Sequence, residues 1–180
     1  MRIDSFRTAI KADADSIALL VNKAYRPEPG TEGWTHESNL VSGHRINASQ
    51  VAEAIARANS AVLLGLKGSD TIACVHVEKD GRGCRIGMLA VNPSLQGVGV
   101  GKQMLAYAEN YGRANFGSEK FIMLVVSQRS ELMSYYLRHG YQKTGAVMEF
   151  PLSAGGGIPK IDGLQIEVLE KQPNTVVNRG

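Results

Sequence analysis

Hydrophobic positions along the chain follow two kinds of spacing, one typical of helices and one typical of strands. Apolar residues recur every three or four positions in 11–26, 47–59, 101–116 and 130–140, which predicts four amphipathic helices. Shorter apolar or alternating segments predict seven strands, at 3–10, 61–67, 71–79, 84–91, 120–126, 141–150 and 164–171. The uninterrupted apolar run KFIMLVV predicts that the fifth of these strands is buried on both faces. Together the elements predict one mixed α/β domain without internal repeats.

Two segments depart from this regular pattern. Residues 27–45 contain prolines and glycines and show no periodicity, which is typical of a functional or mobile connection. Residues 173–180, PNTVVNRG, are expected to form a flexible tail. The predicted domain therefore spans residues 1–172.

Composition and charge narrow the possible partners. The 180 residues are 43% hydrophobic and 21% charged, with a net charge of +3 and basic side chains that are scattered along the sequence. This pattern lacks the basic stripe of a nucleic-acid-binding protein and favours an anionic small ligand. Cys74 and Cys84 lie in apolar strands without a CxxC pair, so we expect reduced core thiols. Without a signal-like start or an apolar run of about 20 residues, a soluble cytoplasmic protein with no membrane partner is expected.

A glycine-rich turn, NPSLQGVGVGKQML, stands between a predicted strand and a predicted helix. Such turns bind phosphate groups through free backbone N–H groups at the helix N-terminus. A P-loop is excluded, because Gln96 replaces its first glycine and Gln103 its Ser/Thr. A dinucleotide fingerprint is excluded as well, because Lys102 replaces its third glycine.

The remaining pattern is Q-x-x-G-x-G, which residues 96–101 satisfy. It resembles the pyrophosphate loop of the GNAT N-acetyltransferase superfamily, which binds acetyl-coenzyme A. A second segment, SELMSYYLRHGYQKTG, resembles that family's other signature, with Tyr136, Gly140 and Tyr141 in the matching positions. The resemblance covers residues 61–144.

The resemblance implies a fold, a co-substrate and a reaction. The fold would be a mixed, mostly antiparallel sheet of about seven strands flanked by about four helices. The reaction would be acetyl transfer from acetyl-coenzyme A to a primary amine of a small molecule or peptide, by direct attack in a ternary complex, without a metal ion. Homodimers are common in the family. The residues implied in coenzyme binding are Leu89, Val91, Gln96, Gly97, Val98, Gly99, Val100, Gly101, Lys102, Arg129 and Tyr136.

Two of these residues carry specific expectations. Through the resemblance, the Val91 N–H would polarise the thioester carbonyl, and Tyr136 would act on the departing thiolate as an acid or as a hydrogen-bond donor. A packed aromatic role for Tyr136 is the alternative. The sequence also departs from the family, because Arg129 stands where an asparagine is frequent and the strand 84–91 carries no carboxylate.

Candidates for the acceptor site come from the segment 27–45 and one strand. Trp34 and Glu37 combine an aromatic ring with a carboxylate that could receive a cationic amine, and Glu37 is the candidate catalytic base. His76 is a third candidate for acceptor binding. The alternative for Glu37 is a solvated loop carboxylate without a catalytic role. The alternative for His76 is a hydrogen-bonded histidine within a strand. No ligand spacing points to a metal site. A catalytically silent acetyl-coenzyme A sensor and a nucleic-acid binder are the rival functions.

Overall fold

The computed structural model describes residues 1–173 and contains four α-helices and nine strands. The helices are α1 (Ala14–Tyr25), α2 (Ala48–Ala56), α3 (Val100–Phe116) and α4 (Ser130–Arg138). The strands are β1 (Ser5–Thr8), β2 (Val41–Ser42), β3 (Ser60–Lys67), β4 (Asp70–Asp80), β5 (Gly83–Val91), β6 (Lys120–Val126), β7 (Gln142–Glu149), β8 (Ile158–Pro159) and β9 (Gln165–Lys171). The predicted tail, except for its first residue, lies outside the described residues.

Seven strands form one sheet in the order β1-β3-β4-β5-β6-β9-β7. Every neighbouring pair is antiparallel except β5 and β6, which are parallel. The predicted fold class, a mixed and mostly antiparallel sheet with four helices, is therefore confirmed. The two remaining strands, β2 and β8, pair with each other and join the segment 27–45 to the connection between β7 and β9.

The core has two layers because helices cover both faces of the central strands. Leu63 on β3 packs on the side of α3, whereas its neighbours Val62 and Leu64 pack on the side of α1 and α2. The prediction for β6 is wrong, because Leu124 is 41% exposed. The physical reason is that α1 and α2 lie over β3, β4 and β5, so one face of β6 borders an open cavity instead of a helix.

The central strands separate toward one end of the sheet. The pairing of β5 with β6 is confined to residues 83–85 and 120–122. Farther along, β5 carries a bulge opposite β4, where Met88 adopts φ 52°. A non-glycine residue in this region of φ is uncommon and concentrates at functional sites. The divergence and the bulge open the space in which the candidate site lies.

A buried polar network holds the start of β7 against α3 and β9. The Tyr141 hydroxyl donates to Glu109 Oε1 at 3.0 Å, and Lys171 Nζ lies 3.0 and 3.1 Å from the two carboxylate oxygens of Glu109. Burial beside this carboxylate raises the pKa of Tyr141 above its ordinary value, so the phenol remains a hydrogen-bond donor. The aromatic residue of the second sequence signature thus has a structural role in this fold.

Replacing Tyr141 by Phe is expected to lower the free energy of unfolding by about 1–2 kcal/mol, because Glu109 loses a buried hydrogen-bond donor. Urea denaturation measures this change. Tyr107→Phe is the matched control, since the described residues offer its hydroxyl no hydrogen-bond partner, and it should unfold like the wild type. Equal stability of the two variants would contradict the prediction.

Candidate active site

Two cavities meet where β5 and β6 diverge. The first, of about 390 Å³, lies beside the glycine turn and α4. The second, of about 470 Å³, lies between α2, β4, β5, β6 and the β7–β9 connection. Five residues line both cavities, and we call them the junction: Tyr25, Leu89, Arg129, Leu132 and Tyr136. Two ligands, one bound in each cavity, would therefore meet at these five side chains.

The glycine turn presents free N–H groups to the first cavity. Gly97 and Gly99 adopt φ values of 78° and 91°, which residues with a Cβ atom rarely adopt. Gly99 is the N-cap of α3. The first helical bond of α3 runs from the Gln103 N–H to the Gly99 carbonyl. The N–H groups of Val100, Gly101 and Lys102 therefore have no intrahelical acceptor. A helix N-terminus of this kind attracts an anionic group.

The side chains around the turn differ in what they contact. Gln96 Oε1 accepts from the Thr35 N–H at 3.0 Å, and Gln96 Nε2 donates to the Val91 carbonyl at 3.2 Å. This amide therefore joins the segment 27–45 to the end of β5. Val98 is exposed, and Lys102 is an exposed cation on the wall of the first cavity.

The N–H of Val91 points into the gap beyond β5. The next N–H group along the strand, that of Asn92, donates to the Ile72 carbonyl of β4 at 2.9 Å. Successive N–H groups of a strand point to opposite sides. The Val91 N–H therefore faces the side from which β6 has diverged, where it can donate to a ligand carbonyl. Leu89, which follows the bulge, faces both cavities.

A buried cluster of charges stands at one side of the junction. The Glu37 carboxylate is 4% exposed; its Oε1 accepts from Arg26 Nη2 at 2.7 Å, and its Oε2 lies 3.5 Å from Arg129 Nη1. Arg129 also donates to Thr35 Oγ1 at 2.9 Å, whereas its buried Nε makes no hydrogen bond to a described residue and lies 4.0 Å from Glu131 Oε1. These contacts favour a structural role for Glu37 over proton transfer. Arg129 brings a buried positive charge to the wall of both cavities.

Two phenols border the same point. Tyr136 is 6% exposed and Tyr25 lies beside it, and burial raises the pKa of both side chains above the ordinary tyrosine value. Each phenol is therefore protonated at neutral pH. The Tyr136 hydroxyl makes no hydrogen bond to another described residue. It is thus available to a ligand that reaches the junction.

The other predicted acceptor residues are separated from each other. Trp34 is 49% exposed, lies 5.8 Å from Tyr135 between ring centroids, and lines the first cavity only. His76 lines the second cavity. The structure thus brings His76, Glu37 and Tyr136 to the walls of one cavity and places Trp34 at the other.

The hydrogen bonds of His76 define its protonation. Ser60 Oγ donates to the Ala54 carbonyl at 2.7 Å and lies 2.8 Å from His76 Nε2. Because the hydroxyl proton is committed to the carbonyl, Nε2 carries the ring proton and Nδ1 keeps its lone pair. Burial lowers the pKa of His76 below 6.5, although Glu78 at 4.0 Å opposes this shift. A neutral ring with a free lone pair is a possible proton acceptor.

The lowered pKa of His76 has a consequence for stability. His76 adds stability above the pKa of the unfolded chain, and this stability is lost as the pH falls from about 6.5 through the lower folded value. We expect His76→Gln to lose less unfolding free energy than the wild type between pH 8 and pH 5, as measured by urea denaturation. The exposed His44 provides the control, since His44→Gln should follow the wild type. Parallel curves for His76→Gln and the wild type would contradict this.

Three residues at the site were missed by the sequence analysis. Arg26 ties Glu37 to the carbonyls of Gly43 and Gly156 at 2.8 and 2.7 Å, and so holds both long connections together. Tyr25 and Thr35 line the first cavity beside Arg129. Their position in the sequence could have indicated a role at the site, because Tyr25 and Arg26 stand at the end of the first helix, directly before the irregular segment 27–45.

Comparisons with known proteins agree with this geometry. Residues 31–151 match the family model described as acetyltransferase (GNAT) domain. The chain therefore belongs to the GNAT acetyltransferase family. No curated protein shows a significant match to it.

Several solved structures share this fold over nearly the whole length of the chain. PaiA N-acetyltransferase from Thermoplasma acidophilum, in complex with coenzyme A, is 15% identical, with a TM-score of 0.71 over 94% of this chain and 98% of that one. An N-acetyltransferase from Staphylococcus aureus is 15% identical, with a TM-score of 0.67 over 93% and 96% of the chains. A spermidine N-acetyltransferase variant from Vibrio cholerae is 14% identical, with a TM-score of 0.66 over 97% and 98%. At these identities the likeness concerns the fold.

Two further observations concern the described residues alone. Within residues 1–173, no helix combines the length and the apolar character needed to span a bilayer. In the same part of the chain, no group of three or more His, Cys, Asp or Glu side chains is arranged to hold a metal ion.

Proposed function

We propose that the protein is an acetyl-coenzyme A-dependent N-acyltransferase that acetylates a primary amine by direct attack in a ternary complex. One observation carries the proposal: the cavity beside the glycine turn and the cavity beside His76 open onto the same junction. Family membership and a neighbour solved with coenzyme A support the choice of co-substrate. Another protein of similar fold is a spermidine N-acetyltransferase, which supports an amine as the acceptor.

Coenzyme A would lie in the first cavity. Its pyrophosphate would accept hydrogen bonds from the N–H groups at the start of α3, and Lys102 would add a positive charge. The thioester would then reach the junction, with its carbonyl oxygen at the Val91 N–H. This N–H would become a stronger hydrogen-bond donor to the oxygen as negative charge develops there.

The acceptor amine would enter from the second cavity. Its nitrogen attacks the thioester carbon, the C–S bond breaks, and the electron pair of that bond leaves with the sulfur. The new amide nitrogen sheds one proton, which His76 can accept on Nδ1, directly or through water. The thiolate takes up one proton, so transfer to the neutral amine is proton-neutral. An acceptor that arrives as an ammonium, with a pKa of about 10.4, must first lose one further proton, which goes to solvent.

Tyr136 would act on the departing sulfur. Burial raises the pKa of its phenol, so complete proton donation to the thiolate is unfavourable and a hydrogen bond from the neutral hydroxyl is the better role. Arg129 would sit beside the same ligand, held by Thr35 and Glu37. We infer that Glu37 positions Arg129, while Gln96 fixes the segment that carries Thr35.

A covalent acetyl-cysteine route is disfavoured. Both cysteines of the chain are fully buried, and burial raises the pKa of Cys74 to about 12 and that of Cys84 to about 11. A thiol of that pKa supplies little nucleophilic thiolate at neutral pH. Transfer within a ternary complex needs neither thiol.

The proposal is tested by measuring thiol release from acetyl-coenzyme A with a panel of primary amines and peptides. Amine-dependent release, with the acetylated amine identified by mass spectrometry, supports the enzyme. Tight binding of acetyl-coenzyme A without release, over a panel that includes amino acids, polyamines and N-terminal peptides, favours the silent sensor instead. Absence of both binding and release contradicts the proposal.

A further inference from the structure

The second cavity carries more positive than negative side chains. Five arginines and three glutamates line it. Most of these charges are paired: Arg57 lies 3.1 Å from Glu78, and Arg85 lies 2.9 Å from Asp80. Glu37 is shared between the guanidinium groups of Arg26 and Arg129, and Arg129 Nε also lies 4.0 Å from Glu131 Oε1, so the charges of this cluster balance.

Arg45 is the arginine of this cavity that has no acidic partner among the described residues. Its guanidinium carbon stands 5.5 Å from the Tyr25 ring centroid, and that of Arg129 stands 5.4 Å from the same centroid. Two guanidinium groups therefore flank one ring of the junction. The carboxylate Glu53, which also has no basic partner in the described residues, lies on the exposed surface of α2 at the cavity wall.

The position of Arg45 is fixed by the fold. Asn22 Oδ1 accepts from the Arg45 N–H at 2.8 Å and from the Ile46 N–H at 3.2 Å, and Asn22 Nδ2 donates to the Ile46 carbonyl at 2.9 Å. One side chain of α1 thus holds the backbone on which Arg45 stands. The half-buried guanidinium is presented to the cavity by this anchored backbone and by the Tyr25 ring.

We propose that the acceptor is a primary amine that also carries a carboxylate, and that Arg45 binds the carboxylate. This inference rests on the proposed function. A guanidinium forms short, charge-assisted hydrogen bonds with a carboxylate, and it pairs with two oxygens at once. A diamine or polyamine would instead bring a second ammonium group beside the unpaired guanidinium of Arg45, where like charges repel. The cavity therefore selects an acid-bearing amine against a polyamine.

The test uses acceptors that differ in one group. 4-Aminobutanoate, butylamine and 1,4-diaminobutane share one chain length, and several α-amino acids are compared with their decarboxylated amines. The ratio of kcat/KM between the acid-bearing compound and its partner, from thiol release, is expected to be at least tenfold. In Arg45→Gln this ratio should fall to about twofold, whereas Arg45→Lys should keep part of it. Arg82→Gln removes one exposed charge on the β4–β5 hairpin and should keep all of it.

A second readout separates this inference from the proposed function. Calorimetry of the same compounds with the coenzyme A complex measures binding without turnover. Tighter binding of the acid-bearing compounds, lost in Arg45→Gln, supports the inference even if no thiol is released, in which case the transferase proposal alone fails. Equal or better kcat/KM for the diamine, a preference that survives Arg45→Gln, or no binding by any acid-bearing compound overturns it.

Discussion

Gly99→Val should weaken the binding of acetyl-coenzyme A about 100-fold. A Cβ at Gly99 meets no protein atom within 4 Å, so the substitution should leave the core intact. Because Gly99 lines the first cavity, the added side chain is expected to compete with the coenzyme for space there. The substitution is also strained at φ 91° and would tilt the first N–H groups of α3. Each charge-assisted hydrogen bond contributes about 1.5–3 kcal/mol, and about 1.4 kcal/mol corresponds to a tenfold change in affinity.

The effect is measured as the Kd of acetyl-coenzyme A by calorimetry. Gly145→Val is the matched control, because Gly145 has φ 86°, meets no atom within 4 Å at its Cβ position, and lies on β7. Both variants should lose stability through backbone strain, but only Gly99→Val should lose affinity. Unchanged affinity in Gly99→Val would show that the coenzyme binds elsewhere.

Tyr136→Phe should lower kcat about 100- to 1000-fold and leave the KM for acetyl-coenzyme A within about threefold. Removing one hydrogen-bond donor from a site of developing charge typically costs this much in kcat. The unfolding free energy should change little, since the Tyr136 hydroxyl bonds to no described residue. A loss in kcat without a loss in KM is the signature of an interaction made in the transition state.

Steady-state thiol release with a saturating amine gives both constants. Tyr135→Phe is the control, because its hydroxyl lies in the first cavity, 3.3 Å from the Cβ position of Gly101. Loss of that hydroxyl should act on the coenzyme KM more than on kcat. A Tyr136→Phe enzyme with wild-type kcat would instead leave Tyr136 as a packed aromatic residue.

The parts of the site that sequence predicted are local in the chain. The strand, the glycine turn and the helix follow one another directly in the chain. Gly97 and Gly99 have positive φ values, which glycine adopts much more readily than other residues, so the residue type alone indicates this turn. The helices and strands were predicted for the same reason, since their periods are short-range patterns, whereas the mostly antiparallel order of the sheet was implied by the family resemblance. The seven-stranded sheet then agreed with the family resemblance.

The parts that sequence missed depend on distant contacts. Glu37 is paired with Arg129, which lies 92 positions away in the chain, and no sequence pattern near Glu37 indicates that partner. Trp34 faces the first cavity because Gln96, 61 positions from Thr35, holds its neighbour there. The exposure of Leu124 follows from where α1 and α2 stop covering the sheet. Such features are set by packing between elements and by charge pairing, which a single sequence does not encode locally.

A crystal structure of the protein with coenzyme A bound tests the central claim most directly. We expect the pyrophosphate within hydrogen-bond distance of the N–H groups at the start of α3. We also expect the sulfur at the junction, close to the Tyr136 hydroxyl and on the side of the Val91 N–H. A coenzyme whose sulfur ends away from the junction, with the second cavity closed off from it, would contradict the proposed transfer between the two cavities.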